Sequence, residues 1–124
     1  MLPEEELQQR WLQFQSALTK QPGKEYTLDD ILILIGRQEA GWPLQKELSE
    51  KEKNDLMQLG ICSILVPAKY YELIWVDDIG WPHFKQLKQL PNVNLAERNF
   101  LLKQYVLLYN DRNKLVKPPL HTVK

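Results

Sequence analysis

The sequence predicts a mainly α, single-domain bundle of about four principal helices with one small β-hairpin. Three observations carry this. Apolar residues recur at helical spacing in four segments; Ser49 and Asn94 stand three positions ahead of Glu52 and Glu97; and one aromatic and β-branched stretch is broken by Asp77-Asp78-Ile79-Gly80. A chain of 124 residues encloses one hydrophobic core and hardly two.

The first helix is expected over about residues 3 to 20. Leu7, Trp11, Phe14 and Leu18 step by four, three and four and share one stripe. Pro3 suits the first turn, where its missing N–H costs nothing, and Glu4, Glu5 and Glu6 sit at the positive end of the helix dipole. Pro22-Gly23 ends the helix. Thr27 then caps a second helix, about 28 to 40, whose Leu28 and Ile31 to Ile35 are apolar on nearly all sides. It should be the most buried element, with Gly41 closing it and Pro43 following.

Ser49 and Glu52 have capping-box spacing and open a third helix, about 50 to 66, which Pro67 kinks or ends. Gly60 costs up to about 1 kcal/mol of helix propensity relative to Ala. With small Ser63 nearby, it implies a neighbouring backbone that comes close. Tyr70 to Val76 are strand-like, and a hairpin is expected at about 71 to 85, with Pro82 confining the second strand to an edge. Asn94 and Glu97 open the last helix, about 95 to 109, with Leu101, Leu102, Tyr105, Val106, Leu108 and Tyr109 on its apolar side. Residues 1–110 thus form one helical domain, and 111–124, with Pro118-Pro119 and a net basic charge, are expected to be an extended, flexible tail.

One motif occurs twice. Gly41-Trp42-Pro43-x-x-Lys46-x-Leu48 matches Gly80-Trp81-Pro82-x-x-Lys85-x-Leu87, and a capped helix start follows each copy. Gly41 and Gly80 are expected in conformations that disfavour a Cβ, and each Trp is expected to pack against the helix that follows it.

Composition narrows the chemistry. Sixteen basic residues balance sixteen acidic ones, which removes the positive field that nucleic-acid binding relies on. The acidic N-terminus does not resemble a targeting peptide, and the longest weakly polar run, Leu59 to Ala68, is far shorter than a membrane span. A lone cysteine, Cys62, favours a reducing cytoplasm and, set among apolar neighbours, a packing role. Two histidines without His-x-x-x-His, Cys-x-x-Cys or Glu-x-x-His spacing offer no ordinary zinc site, and five dispersed glycines form no phosphate loop. No metal, cofactor or catalytic residue is therefore assigned.

The aromatics remain. Four Trp and five Tyr exceed average usage, and Trp42, Tyr70, Tyr71, Trp75, Trp81 and His83, with Asp77 and Asp78 in the turn, are the candidate ligand- or partner-binding residues. The expected function is a non-enzymatic cytoplasmic interaction module that binds a protein partner or itself, with neither nucleic acid nor membrane involved. The alternative is a small-ligand-binding protein or enzyme with its site around the 70–85 hairpin, where Asp or Tyr would tune His83.

Overall fold

The computed structural model describes residues 2–18, 25–43 and 46–115. The elements run α1 (Glu4–Leu18), α2 (Leu28–Ala40), α3 (Glu50–Ile64), β1 (Tyr71–Val76), β2 (Pro82–Gln86) and α4 (Leu95–Asn113), a mainly α fold with one antiparallel hairpin. The Pro22-Gly23 stop and the tail from residue 116 onward, His121 included, lie outside the described residues.

Helix starts follow from local hydrogen bonding. Thr27, Ser49 and Asn94 each accept the N–H of the residue three positions on, and Asp30, Glu52 and Glu97 accept the cap residue's own N–H in return. Each box satisfies two backbone donors that a helix N-terminus otherwise leaves open, and loss of such a cap costs about 1 kcal/mol. Gly41 closes α2 in the left-handed region at φ 72°. The main core gathers Trp11 and Phe14 of α1, Ile31, Leu32 and Ile35 of α2, Ile61 and Ile64 of α3, and Leu102, Val106 and Tyr109 of α4.

The central pair, α2 and α3, is antiparallel and crosses on two glycines. A Cβ on Gly36 would stand 2.1 Å from the Leu56 carbonyl oxygen, and one on Gly60 would stand 2.2 Å from that of Leu32. Each helix therefore offers a glycine to the other's backbone. Gly60 bears out the close approach the sequence implied; Gly36 is its unforeseen counterpart.

Both later helices end elsewhere than expected. Leu65 and Val66 donate to the carbonyls of Cys62 and Ser63, three residues back, so the turn tightens and α3 ends at Ile64 rather than 66. α4 continues past 109 to Asn113, which makes 111–113 helical rather than extended. The reason is a left-handed cap at Lys114, φ 55°, after which Leu115 folds back against the main core. Leu108, assigned to the buried side, points outward instead.

In the hairpin, Tyr71 pairs with Gln86, Leu73 with Phe84, Trp75 with His83 and Val76 with Pro82, with a bulge at Ile74 between Leu73 and Trp75. A smaller second core of Ala40, Leu56 and Leu59 receives Trp42 and Leu48 from one side and Trp81 and Phe84 from the other. Trp42 thus packs against the helix that follows it. Trp81 does not: the hairpin folds back so that Trp81 meets this α2–α3 cluster instead of α4.

Candidate functional site

Asp77 organises the hairpin tip. Its Oδ1 accepts the backbone N–H groups of Ile79 at 3.1 Å and Trp81 at 2.9 Å, and its Oδ2 accepts from His83 Nε2 at 2.8 Å. The first two bonds form an Asx-type turn, and Gly80 at φ 89° supplies the left-handed residue that the reversal needs. The His83 bond, with the Trp81 and Ile79 donors, holds the Asp77 carboxyl below its ordinary range. The His83 ring lies flat on Trp75, with centroids 4.7 Å apart and planes at 10°. Trp75, His83 and Asp77 are therefore one rigid unit across the two strands, whereas Asp78, beside it in the turn, is exposed.

The two Gly-Trp-Pro turns, distant in the chain, meet in space. Trp42 and Trp81 touch edge to face at 5.7 Å and 64°. The Lys46 ammonium stands 3.9 Å from the centre of the Trp42 ring and is held by Glu52 at 3.1 Å. Arg37 ties the loop to α2 by donating to the Pro43 carbonyl and, at 2.8 Å, to that of Lys46. Gly41 and Gly80 both have positive φ, as the motif implied.

Tyr70 packs on the main core beneath Lys88, whose ammonium is 4.5 Å from its ring centre. Tyr71 joins Trp81, His83 and Cys62 around a shallow, open depression of about 360 Å³. Burial pushes the Cys62 thiol up, and burial followed by the neighbouring Cys62 does the same to the Tyr71 hydroxyl. The eight residues thus form a Trp42–Trp81 junction and a Trp75–His83–Asp77 unit, with Tyr71 beside Trp81 and His83 at the depression, Tyr70 on the main core and Asp78 exposed in the turn.

A second depression, about 420 Å³, is lined by Leu73, Val76 and Phe84 of the hairpin and Leu108 of α4, with Glu39 and Arg112 among its polar groups. Beside it the buried Tyr109 hydroxyl donates to Glu39 Oε2 at 2.6 Å and accepts from Gln38 Nε2 at 2.9 Å. Burial, then Glu39, raises its pKa.

Sequence reasoning placed Leu73, Ile74, Val76 and Ile79 in the hairpin but not among the site residues. With Trp75 they are its most exposed apolar groups. The signal was an unbroken apolar run, Leu73 to Val76, in a two-stranded hairpin: without period-two alternation, both faces are apolar, and a helical body can cover only one. Among the described residues no group of three His, Cys, Asp or Glu is placed to hold a metal, and no helix is long and apolar enough to cross a membrane. No family model, curated protein or solved structure matches the chain.

Proposed function

We propose that the protein is an interaction module that acts by binding rather than by catalysis, with the exposed side of its hairpin as the docking surface. One observation carries the reading: Leu73, Ile74, Trp75 and Val76 are 50%, 57%, 54% and 52% exposed in unbroken succession, and Ile79 at the tip is 79% exposed. These side chains lie on both faces and at the tip of the hairpin, and exposed apolar groups gathered on one small element are characteristic of interaction sites. Trp75, stacked on a His83 ring that Asp77 holds, loses less freedom on binding than an unsupported indole, the condition under which aromatic anchors contribute most. The Asp77 carboxylate accepts three hydrogen bonds from its own hairpin, which suits a structural fastener better than an acid or base. The lone, half-buried cysteine suits a reducing compartment, the cytoplasm.

A photo-crosslinking residue at position 74, in the cells that make the protein, tests this. The expected result is a discrete adduct that weakens when Trp75→Ala is added. Adducts from position 12 on α1, where Leu12 is also exposed, with none from 74, would overturn the assignment.

A second reading is favoured by the 420 Å³ depression, which falls in the size range of small-molecule sites and is mostly apolar with a few polar groups. Titration with a small apolar probe, followed by methyl NMR, should then shift Leu73, Val76 and Leu108 together. Shifts scattered over the surface would exclude it.

A further inference from the structure

We propose that the depression lined by the hairpin and α4 binds a medium-chain monocarboxylate, an unbranched apolar chain with one terminal carboxylate, whose head group Arg112 holds. This rests on the reading of that depression as a small-molecule site and supplies its ligand.

Two separate elements line the hollow with apolar side chains that the fold leaves half exposed. Leu73 and Val76 of β1 are 50% and 52% exposed there, and Leu108 of α4 is 47% exposed. A ligand seated between them removes apolar surface from water on both elements at once, and a methylene chain does so without burying unpaired polar groups.

The last helix sets the ligand's direction. Tyr105, Leu108, Tyr109 and Arg112 all line the depression, and their spacing of three, one and three puts them on a single stripe of α4. From Tyr105 to Arg112 the stripe rises about 10 Å, with the guanidinium last. An amphiphile lying along it meets mostly carbon beside its body and a cation at its end.

Charge selects the head group. Arg112 and Glu39 are the charged residues that line the depression. Glu39 already accepts from the Tyr109 hydroxyl at 2.6 Å, whereas the Arg112 guanidinium has no ion-pair or hydrogen-bond partner among the described residues. The unmet charge is therefore positive, and a guanidinium fork matches a carboxylate in bidentate geometry. Glu39 in turn repels a second negative charge, so the site takes a monoanion in preference to a dianion.

Methyl and arginine side-chain NMR of the full chain, titrated with decanoate, octanoate, decanol and decanedioate below any micelle concentration, tests this. Decanoate should shift Leu73, Val76 and Leu108 together with the Arg112 Nε–H along one saturable curve. Octanoate, two methylenes shorter, should bind about fourfold more weakly or less still, decanol about tenfold more weakly, and decanedioate more weakly than decanoate. Arg112→Gln, an exposed substitution, should weaken decanoate about tenfold, leave decanol unchanged and preserve the helical circular dichroism. Decanol binding as tightly as decanoate, or an Arg112→Gln variant that keeps full decanoate affinity, overturns the carboxylate assignment and leaves the small-molecule reading standing. If no probe shifts the three residues along a saturable curve, both fall.

Discussion

Replacing Gly36 or Gly60 by alanine sets two physical effects against each other. Both glycines lie inside helices, where alanine is favoured by about 1 kcal/mol. The added Cβ, however, would meet a backbone oxygen at 2.1 Å in one case and 2.2 Å in the other, against ordinary contacts beginning near 3.4 Å. The obstacle is the Leu56 or Leu32 carbonyl, each fixed in its own helix, so no rotamer change relieves the clash. The helices must separate by about 1 Å, a gap that forfeits a quarter to a half of the dispersion energy along the crossing. Overpacking of this kind costs about 3 kcal/mol or somewhat more. After the propensity gain, each substitution should destabilise by about 2 to 3 kcal/mol, lowering Tm by roughly 6 to 15 °C for a domain of this size. Both act on one crossing, so the double variant should cost less than the sum. Chemical and thermal unfolding measure all three. Unchanged or increased stability in Gly36→Ala and Gly60→Ala would refute the close crossing.

Four further outcomes follow. A double-mutant cycle of Trp42→Ala and Trp81→Ala should give a coupling of about 0.5 to 1.5 kcal/mol, the worth of an edge-to-face pair; zero coupling would mean that the two turns do not touch in solution. Because the Asp77 carboxyl is depressed in the folded state, its contribution is fully present above its ordinary value of 3.8 and lost as pH falls below that, so hairpin NMR signals should broaden in acid before those of the helical core and should no longer do so in Asp77→Ala. Tyr109 is shifted the other way: above its ordinary value of 10.0 the unfolded chain loses a proton that the folded chain keeps, so stability should fall as pH rises beyond it, and Tyr109→Phe should flatten that fall at a cost of about 1 kcal/mol near neutrality. Cys62, with its thiol pushed up by burial, should react with an alkylating reagent at pH 8 at least tenfold more slowly than a free thiol and reach the free rate on unfolding.

The helices were legible because their determinants are local. Ser49 with Glu52 and Asn94 with Glu97 each satisfy neighbouring N–H groups, and the Leu7, Trp11, Phe14 stripe needs only a core to face. The hairpin was legible for the same reason, since Asp77 and Gly80 build the turn from their own backbone. What the sequence hid is tertiary. Gly36 reads as an interruption of an apolar helix until Leu56 is set against it. The Gly-Trp-Pro copies read as two independent turns, and nothing local announces that Trp81 leans on Trp42 instead of α4. The aromatic candidates do not form a single unit because strand pairing commits Trp75 to His83, while the core takes Tyr70. The exposed run from Leu73 to Val76 was visible as composition, but its exposure depends on how little of the hairpin the helices cover.

The two glycines are equivalent at the crossing but not in what lies beyond it. Gly60 abuts Leu32, which belongs to the main core, whereas Gly36 abuts Leu56, which belongs to the small cluster that receives Trp81 and Phe84. That cluster, together with the buried Pro82, seats the hairpin on the helices. Displacing the Leu56 backbone therefore acts on the seat of the hairpin, the proposed docking surface, and displacing Leu32 acts on the interior of the bundle. At equal loss of stability, Gly36→Ala should change Trp81 side-chain NMR shifts and weaken binding at the hairpin by several-fold. Gly60→Ala, compared under conditions where both remain folded, should leave each near the parent value. Equal effects of the two variants on hairpin binding would show that the small cluster does not couple the surface to the helix crossing, and the hairpin would then owe its placement to the β-turn and Pro82 alone.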